Sequence, residues 1–180
     1  MPLFSFVAGS TGPWHVTSMT AVRGSGLAPA SHLAVTEDDS AAPDAIWALR
    51  GVTSNQRYTT RIEHDALAIR PAELGRTAAT EAALIPIRKS EAWWLLTQDE
   101  RRAIFEERSQ HIATSLPYVP AVARRLHHSR DLGGPFDFLT WFEFAPADAP
   151  AFDELVSRLR GSEEWRYVER EVEVRLTRIS

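Results

Sequence analysis

One histidine on a helix face and one arginine on a strand face, thirteen residues apart, are the groups best suited to shared chemistry in this chain. Thr97, followed three residues later by Glu100, forms a capping box that opens a helix. Within that helix Ile104, His111 and Ile112 fall at offsets of zero, seven and eight, so they share a face. Beyond Pro117 and Pro120 the period drops to two. Val122, Arg124, Leu126 and His128 alternate with Ala121, Ala123, Arg125 and His127, as in a strand. Arg124 therefore points with Val122 and Leu126, and Arg125 with the alanines. A guanidinium cannot shed its proton, so burying Arg124 demands an anionic partner or a bound anion. A core-facing imidazole and a core-facing guanidinium in this arrangement suggest a haem with the histidine below and an anion site above.

Each of these residues also has a plainer reading. A lone histidine on a helix is more often a hydrogen-bonded core residue than a ligand. Arg124 could pair structurally with Glu143 or Asp137 on a neighbouring strand. His127 and His128, next to Arg124 and Arg125, read as a polar network or turn. His15, His32 and His64 fall in loop-like or weakly patterned stretches and read as solvent-facing. Trp93 and Trp94 lie about 100° apart on a helix and cannot both face one core. Trp141 reads as an aromatic near a subunit interface.

The elements that position these groups alternate between strand and helix patterns. Leu3 to Ala8 and Trp14 to Val22, joined by a Gly-Ser-Thr-Gly-Pro turn, are two β-prone runs able to form a hairpin. Residues 23–44, rich in Gly, Ala, Ser, Pro and Asp, read as a loop. Ala45 to Val52 is a strand; Tyr58, Ile62 and Leu67 could line a helix interrupted at Pro71. Ala82 to Ile87 is a short apolar strand leading into Lys89. Phe136 to Phe144 is apolar on both faces and sits between layers. Asp148 caps a helix with a Phe152, Leu155, Val156 and Leu159 stripe, ended at Gly161. Tyr167 to Ile179 alternates, with Val168, Val172, Val174 and Leu176 facing in and Glu169, Glu171, Glu173 and Arg175 facing out. This order predicts an α+β fold of antiparallel sheet with helices on one side.

The composition narrows the function classes. A length of 180 residues suits one domain or two small fused ones, and a net charge of -4 gives no field for nucleic acid. The absence of cysteine excludes disulfides, thiolate-ligated or c-type haem, and iron–sulfur clusters. No run approaches the ~20 apolar residues of a membrane span and no signal-like segment opens the chain, so a cytoplasmic location is expected. There is no glycine-rich phosphate loop, HExxH or GxSxG motif.

KSEAWW (Lys89 to Trp94), His111, Arg124, HHSRDL (His127 to Leu132) and FDFLTWFEF (Phe136 to Phe144) together resemble the chlorite dismutase family of haem b enzymes, in its short, dimeric branch. The likeness runs from about Trp47 to the C-terminus. It implies two fused ferredoxin-like halves, 1–85 and 86–180, closing an antiparallel β-barrel with helices outside and haem b in the second half. It implies a homodimeric oxidoreductase that converts chlorite to chloride and dioxygen by oxygen-atom transfer, through ferryl iron and hypochlorite that recombine. His111 then corresponds to the proximal iron ligand, and Glu164, with Glu163 beside it, to the acceptor of the other His111 N–H. Arg124 corresponds to the distal guanidinium that holds a small oxyanion. Trp93 and Trp94 border the haem, and Lys89 offers a cation to a propionate. Tyr58 approaches the haem edge. Related alternatives are a coproheme decarboxylase, which lacks an arginine at the place of Arg124 and is longer, and a non-catalytic haem-binding or sensing protein.

Overall fold

The computed structural model describes residues 2–39, 43–53, 73–108, 114–118 and 121–179. Eight strands close an antiparallel barrel: β1 (Leu3–Gly9), β2 (Trp14–Arg23), β3 (His32–Thr36), β4 (Trp47–Thr53), β5 (Glu81–Lys89), β6 (Ala123–His128), β7 (Phe138–Phe144) and β8 (Val168–Arg178). Around the ring the order is β4-β1-β3-β2 and then β8-β5-β7-β6. The two sets of four thus repeat one pattern, fourth-first-third-second, which is the order of a ferredoxin-like unit. No such repeat is visible in the residues themselves.

The expected β1–β2 hairpin does not form. Between them lies β3, from the stretch that reads as loop: Val7 pairs with Ala34, and Trp14 with Leu33. The connection from β1 to β2 must cross the end of β3, and Gly12 makes this possible. Its φ is 149°, and a Cβ there would lie 2.7 Å from the Leu33 carbonyl oxygen. His15 and His32 consequently sit opposite each other on strands, with ring centroids 5.5 Å apart.

Two apolar clusters divide the barrel. The lumen holds Phe4, Phe6, Trp14, Leu33, Leu49, Leu84, Leu139, Trp141, Val172, Val174 and Leu176. The outer face of β5, β7 and β8 carries Ile85, Ile87, Phe138, Phe142, Phe144 and Val168, covered by helical segments. Trp141 is thus a lumen residue, 1 % exposed, and not an interface aromatic. The β7 strand lies between layers, as its two apolar faces predict, although Phe136 joins the lumen cluster ahead of it.

The expected single inward face of β8 also needs correction. Ile87 pairs with Glu171 and Arg88 with Arg170, but Lys89 pairs with Val168, so Glu169 is an extra residue, a β-bulge. The bulge reverses the alternation. Val168 turns outward into the helix-covered cluster, whereas Val172 onward faces the lumen. Glu171 faces outward but is fully buried under the helices.

The covering segments are α1 (Glu91–Trp94), α2 (Gln98–Arg102) and α3 (Ala149–Arg160). The Thr97–Glu100 capping box is present in both directions. The regular α-helix it opens is short, passing into a π-helix over Ala103–Arg108, which widens the turn. The α3 stripe of Phe152, Leu155, Val156 and Leu159 is buried, as its spacing predicts, although Asp148 makes no side-chain cap bond. His64, His111 and Ile112, and the helix expected through Tyr58, Ile62 and Leu67, lie outside the described residues. Among the described residues no helix is long and apolar enough to cross a membrane.

Candidate functional site

The helix-covered outer face of β5–β7 gathers most of the singled-out side chains. Lys89 ends β5, and its ammonium lies 2.7 Å from Glu164 Oε1, with the two side chains 1 % and 5 % exposed. The Nζ also sits 4.0 Å from the centroid of the Trp93 ring. Burial pulls the Lys89 pKa down; the Glu164 charge and hydrogen bond, and Asp137 less strongly, oppose it. The sequence reading turned Lys89 toward a carboxylate of the cofactor. Its ammonium instead meets a carboxylate of the protein.

Glu164 opens a 3-10 turn, Glu164–Tyr167, immediately before β8. Three contacts tie this turn down. Arg23 Nη1 donates to the carbonyls of Trp165 and Val168, and the Ser90 N–H donates to that of Tyr167. The Trp165 indole N–H donates to Glu171 at 2.7 Å, and Arg160 pairs with the same buried carboxylate. The bulge therefore carries Glu164 outward to Lys89 and gives Glu171 a role in holding its neighbour.

The tryptophan pair divides as its 100° offset requires. Trp93 is fully buried and packs on Tyr167 at 5.4 Å, whereas Trp94 is half-buried and stacks on Phe138 at 6.0 Å. Arg101 satisfies the end of α1 by donating to the carbonyls of Trp93 and Trp94. Its guanidinium lies 4.9 Å from the Trp94 centroid, and that of Arg130 lies 3.8 Å away.

Arg124 lies on β6 opposite Phe142, on this same outer face, and is half-buried. The two carboxylates that could have claimed it are engaged elsewhere. Glu143 accepts from the Trp141 indole and the Gly75 N–H, both in the lumen direction. Asp137 accepts from the Lys89 N–H and the Trp94 indole. Burial alone pulls the Arg124 pKa down; no charged group among the described residues offsets it. This leaves a guanidinium on an aromatic face with no anionic partner among the described residues.

Its neighbour Arg125 has the opposite environment. It faces the lumen, where its Nε donates to His127 Nε2 at 2.9 Å and its guanidinium lies over Phe4. His127 Nδ1 in turn donates to the Leu139 carbonyl at 2.9 Å, so the ring is a neutral, fully buried strut. Burial, with Arg125 and His128 adding to it, pulls its pKa down to about 4. The polar-network reading of the histidine doublet thus holds for His127. His128 is half-buried on the Arg124 face, edge-on to Phe138.

Lys89, Trp93, Trp94, Glu164 and Arg124 are therefore brought to one face, and His111 lies outside the described residues. Arg101 and Trp165 were not singled out by sequence reasoning, Asp137 entered it only as a possible partner of Arg124, and Glu171 only as an outward-facing strand residue. Only Asp137, a carboxylate directly before a strand with two apolar faces, carried a local signal. Among the described residues no cluster of three or more His, Asp or Glu could hold a metal ion.

Comparisons with known proteins identify relatives of this chain and of its fold. Residues 41–180 match the sequence profile of the family described as Chlorite dismutase. A chlorite dismutase of Ideonella dechloratans is 31% identical over 126 residues, which is 69% of this chain and 42% of that protein. The chain thus spans under half the length of this curated relative. Crystal structures of dimeric chlorite dismutases from Nitrobacter winogradskyi superpose with a TM-score of 0.93 at 56% identity, covering 98% of this chain and 99% of that one. Chlorite dismutase from Candidatus Nitrospira defluvii, in complex with imidazole, gives a TM-score of 0.60 at 28% identity over 74% of this chain and 56% of that one.

Proposed function

The chain belongs to the chlorite dismutase family, and on that premise we propose that it is a haem b-dependent enzyme converting chlorite to chloride and dioxygen. The observation that carries this reading is Arg124, a half-buried guanidinium on an aromatic face with no carboxylate partner among the described residues. A planar, permanently charged fork in a weakly polar setting is suited to a small oxyanion.

The residues present fit a haem. Trp93, Trp94, Phe138 and Phe142 supply an apolar wall, and beside it Arg124 has no anionic partner among the described residues. His111 would hold the iron. Glu164 would accept the other His111 N–H, fixing the ring and its tautomer. Its burial against Lys89, 2.7 Å from the ammonium, favours it over Glu163. Arg124 would bind chlorite and keep it oriented, while the aromatic wall limits water. Bound haem supplies the redox chemistry of oxygen-atom transfer.

The repeated strand order supports two fused halves, the second beginning near β5 and carrying the site. The dimeric relative of nearly equal length supports a homodimer. We place the enzyme in the cytoplasm.

Oxygen evolution from chlorite by haem-loaded protein tests the proposal, beside Arg124→Ala and His111→Ala. Arg124→Ala should keep its haem and lose on the order of 10²-fold or more in kcat/KM. His111→Ala should lose the native haem spectrum together with activity. Haem uptake without oxygen release would mark a haem-binding protein of another function.

A further inference from the structure

Asp137 touches two of the site's side-chain positions at once. It lies just before β7, 5 % exposed. Its Oδ2 accepts from the Lys89 main-chain N–H at 2.7 Å and from the Trp94 indole N–H at 3.3 Å. Its Oδ1 lies 3.8 Å from Arg130 Nη1, and that guanidinium covers the Trp94 ring. The main chain of Asp137 is equally committed. Its N–H donates to Ile87, and its carbonyl accepts from Ser129 and Arg130.

The location gives these bonds their meaning. The β5–β7 ladder ends at the Ile87–Phe138 pair, and the β5–β8 register breaks between Arg88 and Lys89. At that break the Asp137 carboxylate takes the Lys89 N–H in place of a strand carbonyl. The chain then enters α1, where the same oxygen meets Trp94 five residues on. We propose that Asp137 is a positioning residue: its carboxylate locks the Lys89–Trp94 segment, setting the Trp94 indole against the cofactor wall and seating Lys89 so that its ammonium reaches Glu164.

This rests on the haem reading for its consequence, but its geometry does not require haem. If acceptance of hydrogen bonds is what matters, an amide should serve nearly as well as a carboxylate, and an apolar isostere should not. Asp137→Asn and Asp137→Leu are therefore compared with wild type by two measurements. The first is ultraviolet resonance Raman of the indole N–H, with Trp94 assigned by difference against Trp94→Phe. The second is release of bound haem to excess apomyoglobin.

Asp137→Leu should shift the Trp94 band to that of an unbonded indole and speed haem release on the order of ten-fold. Asp137→Asn should retain the band and change release by no more than a few-fold. An unshifted band in Asp137→Leu, or an Asp137→Asn that behaves like it, would overturn the inference. If Asp137→Leu does not fold, the wild-type Trp94 band decides, since an unbonded position there is equally fatal. A wild-type protein that takes up no haem would defeat the functional proposal and leave the Raman comparison standing.

Discussion

Replacing Lys89 by methionine removes one half of the buried pair and leaves its partner in place. At 2.7 Å and an effective dielectric near 20, the gross attraction between Lys89 and Glu164 is roughly 6 kcal/mol. Desolvating two ions costs several kcal/mol each, so the intact pair contributes little net stability relative to an apolar pair of the same shape. The single variant is different, because it removes the ammonium 2.7 Å from a Glu164 carboxylate that is only 4 % exposed. Lys89→Met should therefore cost about 3–5 kcal/mol, a large share of the roughly 5–15 kcal/mol that holds a domain together. The double variant Lys89→Met/Glu164→Leu should return to within about 2 kcal/mol of wild type. Urea unfolding of the haem-free protein, followed by tryptophan fluorescence, measures this directly, and oxygen evolution is then assayed after haem loading. Stability should recover in the double variant and activity should not, since His111 would have lost its acceptor. A Lys89→Met protein within about 1 kcal/mol of wild type, or a double variant as unstable as the summed singles, would refute the argument.

Two further outcomes concern the lumen. His127 has a folded pKa of about 4 against an ordinary 6.5, so the unfolded chain binds more protons between those values. Its contribution is complete above pH 6.5 and is lost as pH falls toward 4, by roughly 3 kcal/mol in all. Urea titrations at stepped pH should show that decline, and His127→Phe should flatten it. Gly51→Ala should destabilise by about 1–3 kcal/mol, because the new methyl would lie 2.5 Å from the His127 Cβ on the neighbouring strand. A thermal scan matching wild type would contradict that contact.

Much of the site could be read from local periodicity because its parts lie on regular elements. The period-two run of β6 separated Arg124 from Arg125, and the structure puts them on opposite faces of one strand. The capping box and the α3 stripe were legible for the same reason. Tertiary pairing was not. The β3 strand is five residues long and hidden in a stretch of loop-like composition, held there by β1 and β2 rather than by its own propensity. Lys89 and Glu164 are 75 residues apart, and nothing local announces that a strand-end lysine will be buried. The structural alternative for Arg124 was also open until Glu143 and Asp137 were seen to be occupied. Clean alternation along β8 hid the bulge, because valines recur on even positions through a reversal of faces.

That reversal has a consequence for how this chain can change. The stretch from Tyr167 to Glu171 measures distance as much as it supplies side chains. One residue counted out at Glu169 separates the part of β8 that fills the barrel from the part that reaches Glu164. Exchanges of residue type here would be graded by how well the substitute packs, and many would be survivable. Deleting Glu169 would leave Val168 opposite Lys89 and facing out, whereas pairing Glu169 into the ladder with no residue lost would give an unbroken strand and turn Val168 and the chain before it toward the lumen. The barrel could still close around such a strand, but its ferredoxin-like frame would present a different set of groups to its helices. Register is the inherited quantity at this seam.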